Sequence, residues 1–378
     1  MRELQSCFLA SNSAGESRFA VMNEAMNHAV RLDQLCIDTL RTLAIDAVQH
    51  ANSGHPGTPM GAAPSAYCLW QRFLRYDPND PEWPNRDRFV LSVGHTSALL
   101  YGLLHLCGVK ALDEYHAATD RPAVALDDLK SLRQAGSRCT GHPEYGWTAG
   151  VETTTGPLGQ GAATSVGMAI AQTWLAATYN RPGFELFSHK VYALCGDGDM
   201  MEGISGEAAS LAGHLKLAGL CWVYDANQIS IEGSTAITFT EDVGARFEAY
   251  GWRVEHVADA NDLDSITRGL QVSVDTVDRP TLVIVHSHIG YGAPHKHDTR
   301  RRTASRSAPK SPPGQAVLRL RSGRAVRGAR WRAGAFRRAV RRTRDSGPHG
   351  MESALCALPR PIPRPRRTDR LHAAPRAA

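Results

Sequence analysis

The stretch GDGDMMEG at residues 196–203 places Asp197, Asp199 and Glu202 directly behind the apolar run VYALC, with glycine on either side of Asp197. Glycine carries no Cβ, so a bulky anion can approach the backbone there. A carboxylate repels that anion, and a divalent cation between them resolves the conflict. Magnesium takes six oxygens, so Asp197 needs further donors. The next apolar run, LCWVY, ends in DANQIS, which sets Asn227 thirty residues beyond Asp197. A strand–helix–strand unit of about that length returns a chain to the neighbouring strand end. The Asn227 side-chain oxygen and the Ile229 carbonyl are therefore candidate ligands beside Asp197. The tripeptide alone reads more readily as a turn after a strand; the pairing with Asn227, each behind a buried run, makes the signal specific.

Three histidines stand out from the sixteen in the chain: His55, His95 and His142 each follow glycine where a regular element is interrupted. Binding residues concentrate at such interruptions, and imidazole titrates near neutral pH.

These residues need a scaffold. Leu32, Leu35, Cys36, Leu40, Leu43, Ala44 and Ala47 recur at three- and four-residue steps, which predicts an amphipathic helix. Gly54, Pro56, Gly57 and Pro59 are expected to stop any helix. Strands are predicted at RFVLSVGH, KVYALCGDGD, LCWVYDAN and PTLVIVHSHIG, and helices over 159–179, about 203–217 and about 240–250. Apolar strands separated by helices indicate an α/β fold, a parallel sheet with helices on both faces. Ligands bind such sheets beyond the carboxyl ends of the strands, where the polar clusters fall.

Charge divides the chain. Of 43 basic residues 22 lie from Arg300 onward, with three of the 37 acidic ones, so this segment carries +19 and the first 299 residues carry −13. The organisation expected is a flexible leader over 1–28, one domain over 29–299 and a disordered basic tail over 300–378. Eight scattered cysteines, without a C-x-x-C pair, suit a reducing compartment. No secretory h-region and no run of about 18 apolar residues occurs, so a cytoplasmic location is expected and a membrane is not an expected partner.

Seven segments in order, SGHPGTPMG (53–61), LSVGHTSALLY (91–101), GHPE (141–144), GVETTTGPLGQG (150–161), GDGDMMEG (196–203), YDANQISIEG (224–233) and HIGYGAPHKHDT (288–299), resemble the motifs of the transketolase family over roughly residues 30–299. The resemblance implies the diphosphate-binding domain of the thiamine-diphosphate fold, with thiamine diphosphate and Mg2+, or Ca2+ or Mn2+, as cofactors. Asp197, Asn227 and Ile229 would ligate the metal. Gly198 and Asn227 would approach the diphosphate, Gly156, Pro157 and Leu158 would line the cofactor, and His95 would contact it. His55 and His142 would face the sugar, and Glu202, with Glu207 less directly, would belong to a carboxylate relay between the two cofactor sites of a dimer. The implied reaction moves a two-carbon ketol unit from a ketose phosphate to an aldose phosphate, with the cofactor as electron sink.

Family members continue into a His-Gly-x-Pro-Leu-Gly segment, a pyrimidine-binding domain and a C-terminal domain, none of which is in this sequence. Back-translation of RTASRSAPK (302–310) with GC-rich codons, read two bases later, spells His-Gly-Glu-Pro-Leu-Gly-Ala-Glu, so a frameshift near Arg300 is expected to have produced the tail. Weak or no turnover by the chain alone follows. The protein partner expected is a second copy in a homodimer, or a separate chain of a split enzyme carrying the pyrimidine-binding domain. A non-catalytic polyanion-binding protein acting through the tail is the rival reading. With only Trp331 and Phe336 among its basic residues, the tail does not favour nucleic acid as a partner. Dihydroxyacetone synthase shares the motifs, which leaves the acceptor aldose open.

Overall fold

The computed structural model describes residues 30–230 and 233–293. The expected leader (1–28) and basic tail (300–378) lie outside the described residues.

The described residues open with helix α1 over 30–51, then α2 (Gly57–Cys68), which widens into a π turn at Leu69–Phe73. Strand β1 (Arg88–Leu91), a 3₁₀ turn (Gly94–Thr96) and α3 (Ser97–Cys107) follow. A hairpin of β2 (Lys110–Leu112) and β3 (Ala118–Pro122) leads to the short α4 (Leu126–Lys130) and the long α5 (Gln160–Tyr179). Then come β4 (Val191–Gly196), α6 (Asp197–Met201), α7 (Gly203–His214) and β5 (Leu220–Ala226). A small hairpin of β6 (Ile229–Ser230) and β7 (Gly233–Ser234) precedes α8 (Val243–Ala249), β8 (Arg253–Val257), α9 (Leu263–Asp275) and β9 (Thr281–His286).

Five strands form one parallel sheet in the order β1-β4-β5-β9-β8. Successive side chains of a strand point to opposite faces, and β4 shows the result: Tyr192 and Leu194 join a core with α1, α2, α3 and α9, while Val191, Ala193 and Cys195 join a second core with α5, α7 and α8. Both faces are covered, as the sequence predicts. The six described cysteines are buried and form no disulfide with one another, and no described helix is long and apolar enough to cross a membrane.

Two local expectations are corrected, and two elements are not expected from the sequence. Gly57 and Pro59 open α2 rather than stopping helix: Pro59 sits in the first turn, where its missing N–H has no intrahelical partner to lose. Asp197 begins α6 instead of extending the strand. Strand β8 escapes prediction because RVEHV carries Arg253, Glu255 and His256, the charged pattern of an edge strand, and helix α9 is not expected either.

Candidate functional site

The carboxyl ends of β4 and β5 meet at Asp197 and Asn227. Asp197 is 4% exposed. Its Oδ1 accepts from the Tyr224 hydroxyl at 2.8 Å, and its Oδ2 accepts from the backbone N–H groups of Asn227 (3.1 Å) and Gln228 (3.0 Å). Gln228 holds the left-handed region at φ 59°, a conformation uncommon outside glycine, which turns the chain sharply between Asn227 and Ile229. The Asn227 Oδ1 accepts from Ile229 N–H at 3.1 Å, and its Nδ2 donates to Asp225 at 2.9 Å. Burial holds the Asp197 carboxyl above its usual range, against the lowering effect of those donors. The neighbouring Asp225 is pushed up to about 6, again chiefly by burial. Burial without a cation disfavours both charges, and a divalent ion would relieve that.

Asp199 has a different task from Asp197. It is fully buried and turned inward, with Oδ1 accepting from the Ser92 hydroxyl (2.7 Å) and Gly159 N–H (2.7 Å), and Oδ2 from Gly196 N–H (2.9 Å). One carboxylate thus ties the ends of β1 and β4 to the first turn of α5. Gly159 occupies the left-handed region at φ 81°, and a Cβ there would stand 2.8 Å from both Glu202 and Ile204, so only glycine suits this corner.

The loop leading to that corner lies between the histidines and the start of α6. A Cβ on Gly198 would stand 2.7 Å from Leu158, and one on Gly156 would stand 3.5 Å from the His142 ring. Thr155 packs against Gly94, next to His95. Pro157, exposed in this loop, accepts from Gln160 N–H through its carbonyl. The His55 and His95 rings meet edge to face, centroids 4.9 Å apart. Burial lowers the affinity of all three imidazoles for protons: His95 falls to about 3, with His55 and His142 adding to the effect. His55 and His142 are held below their ordinary value by burial first and then by Arg133. The three rings are neutral at pH 7.

Glu202 caps the start of α7 and Glu207 lies in its first turns, both exposed, and the Glu202 charge acts on the buried Asp199. Sequence reasoning missed Tyr224, Asp225, Ser287, Ser92 and Arg133. YDANQ does show Tyr224 and Asp225 flanking the ligand candidate, but Ser92 and Ser287 have only the fold to mark them. Among the described residues no cluster of three or more His, Cys, Asp or Glu side chains could hold a metal. The expected donors, the Asp197 carboxylate, the Asn227 carboxamide and the Ile229 carbonyl, would leave the remaining coordination to a ligand's oxygens.

An open parallel sheet with polar groups at the ends of its central strands defines an α/β cofactor-binding domain. Residues 32–309 match the family described as "Transketolase, thiamine diphosphate binding domain". The chain is 54% identical to a transketolase of Geobacillus stearothermophilus over 274 residues, 72% of this chain and 39% of the relative. It is 51% identical to a transketolase of Bacillus subtilis over 268 residues, 71% and 38%. Among solved structures, the transketolase of Campylobacter jejuni matches with TM-score 0.70 and 38% identity, over 82% of this chain and 46% of that one. A Pichia stipitis transketolase in complex with sedoheptulose-7-phosphate matches with TM-score 0.68 and 38% identity, over 83% and 47%. The chain belongs to the transketolase family. It spans about two fifths of the length of these curated relatives.

Proposed function

We propose that the chain supplies the diphosphate- and metal-binding half of a transketolase site, for ketol transfer between sugar phosphates. The observation that carries this reading is the junction at the ends of β4 and β5, where Asn227 N–H sits 3.1 Å from Asp197 and the Asn227 carboxamide is held at both ends. Asp197, the Asn227 oxygen and the Ile229 carbonyl would hold Mg2+, and Gly198 would let the diphosphate approach. The cleft has unspent polar capacity for a ligand: His55 Nδ1 and Thr155 Oγ1 are buried without a partner among the described residues.

When bound, thiamine diphosphate supplies the carbon nucleophile and electron sink of carbon–carbon bond cleavage beside a carbonyl. The protein's part is positioning and proton transfer. His95 would contact the cofactor, Gly156, Pro157 and Leu158 would line it, and the neutral His55 and His142 would exchange protons with sugar hydroxyls.

The rest of the cleft would come from a pyrimidine-binding domain, in a homodimer or from a separate chain. Helices α5 and α7 favour such a partner: Trp174 is 60% exposed with Ile170 beside it on α5, and Leu211, Leu215 and Ile204 are exposed on α7. Glu202 on the same helix would then reach the second cofactor site. The organisation proposed is one domain over 29–299 between a leader and a basic tail.

The test is a calorimetric titration of the chain with thiamine diphosphate, with and without Mg2+, repeated for Asp197→Ala. Mg2+-dependent binding lost in the variant is expected; binding of equal strength with and without Mg2+, or unchanged in Asp197→Ala, overturns the reading.

A further inference from the structure

A carboxamide offers a cation its oxygen or its NH2, according to what holds it. At Asn227 both ends are held. Nδ2 donates to Asp225 Oδ2 at 2.9 Å, and Oδ1 accepts from Ile229 N–H at 3.1 Å. An ionised carboxylate only accepts and a backbone N–H only donates. A reversed amide would therefore set oxygen against oxygen at one end and N–H against N–H at the other.

Asp225 is itself fixed. It lies on β5, 3% exposed, and its second oxygen accepts from the Ser287 hydroxyl at 2.5 Å. Ser287 follows the last residue of β9, and its N–H donates to the Ala226 carbonyl at 3.3 Å, so the bond crosses between adjacent strand ends. Asp225 takes part in no ion pair with Lys or Arg among the described residues; its hydrogen bonds go to Ser287 and Asn227, and the charged group acting on it is Asp197. A carboxylate buried without a cation costs stability, and orienting Asn227 is a task that explains keeping it there.

We propose that Asp225, backed by Ser287, is a positioning residue that locks the Asn227 amide with its oxygen turned away from Asp225 and available to the ion. This rests on the metal reading above. Outer partners that orient a ligand change metal affinity by about 10–100-fold. Asparagine at this position can still turn its oxygen to Asn227, while its NH2 meets the Ser287 hydroxyl, which accepts as well as donates.

The experiment measures Mn2+ binding to the full chain in the presence of thiamine diphosphate, from the electron paramagnetic resonance signal of free Mn2+, with the fold checked by circular dichroism. Asp225→Ala is expected to weaken Mn2+ binding about 10–100-fold, Ser287→Ala several-fold, and Asp225→Asn by less than about threefold. If Asp225→Ala fails to fold, Ser287→Ala and Asp225→Asn carry the comparison. Mn2+ affinity unchanged in Asp225→Ala or in Ser287→Ala overturns the proposal, as does Asp225→Asn losing as much as Asp225→Ala, since charge and not orientation would then be at work. Asp197→Ala separates the two readings: no Mn2+ binding by the unaltered chain sinks the metal site itself, whereas binding lost in Asp197→Ala but kept in Asp225→Ala sinks only the positioning role.

Discussion

Replacing Asp199 with alanine isolates the inward-turned carboxylate from Asp197. The change removes three accepted hydrogen bonds and strands the Gly159 and Gly196 N–H groups in a site with no solvent access. A buried donor left unmade costs about 1–3 kcal/mol, so two of them cost about 2–6 kcal/mol. Part is returned because the carboxylate no longer has to be desolvated, an effect visible in the raised affinity of Asp199 for its proton. The net expectation is a loss of about 3 kcal/mol. For a domain of this size that lowers Tm by about 6–12 °C. Urea and thermal unfolding of the full chain, followed by circular dichroism, measure it. Asp199→Asn supplies a control of equal volume, because its NH2 must face one of the N–H donors; it should lose at least 1 kcal/mol. A loss below about 1 kcal/mol in the alanine variant, or an asparagine variant as stable as the parent, refutes the tie between β1, β4 and α5.

Other outcomes follow from the same geometry. Gly198→Ala meets only the tip of the Leu158 side chain, at 2.7 Å; it should cost less than about 1 kcal/mol in urea unfolding while weakening thiamine diphosphate binding by calorimetry. Gly94→Ala meets Thr155 Oγ1 at 2.6 Å and the Gly156 backbone nitrogen at 3.0 Å, so its cost should reach about 1–3 kcal/mol by the same assay. His95 and His189, held at about 3 and about 4 chiefly by burial, stay neutral in the fold while the unfolded chain takes up protons near 6.5. Stability should therefore be full above that value and decline as pH falls from it toward 4, with urea midpoints tracing the slope and His189→Gln flattening it. Trp174→Glu should lower self-association in analytical ultracentrifugation without lowering Tm, since the ring is 60% exposed.

The central layer was legible because β4, β5 and β9 are almost wholly buried and so read as unbroken apolar runs. Edge strand β8 was not, since exposure lets it carry charge. Within the site, Asp197 and Asn227 could be paired because one strand–helix–strand unit separates them, and short-range spacing is what a sequence displays. Asp199 stands in the same octapeptide as Asp197, and its sequence position assigns it no task. Only the position of Ser92, 107 residues earlier, shows that it faces inward. The start of α2 misled for a similar reason: glycine and proline mark breaks on average, yet the first helical turn tolerates both.

The polar ties around the cleft join distant parts of the chain: Ser92 to Asp199, Asp225 to Ser287 across 62 residues, and Arg41 to Asn261 across 220. During synthesis the nascent polypeptide must grow past Ser287 before Asp225 finds its hydroxyl. Until β9 pairs with β5 the apolar edge of β5 lies open, and exposed apolar surface and unpaired strand edges are what make partly folded chains prone to aggregate. Assembly of the binding cleft is thus a late event in the life of each molecule.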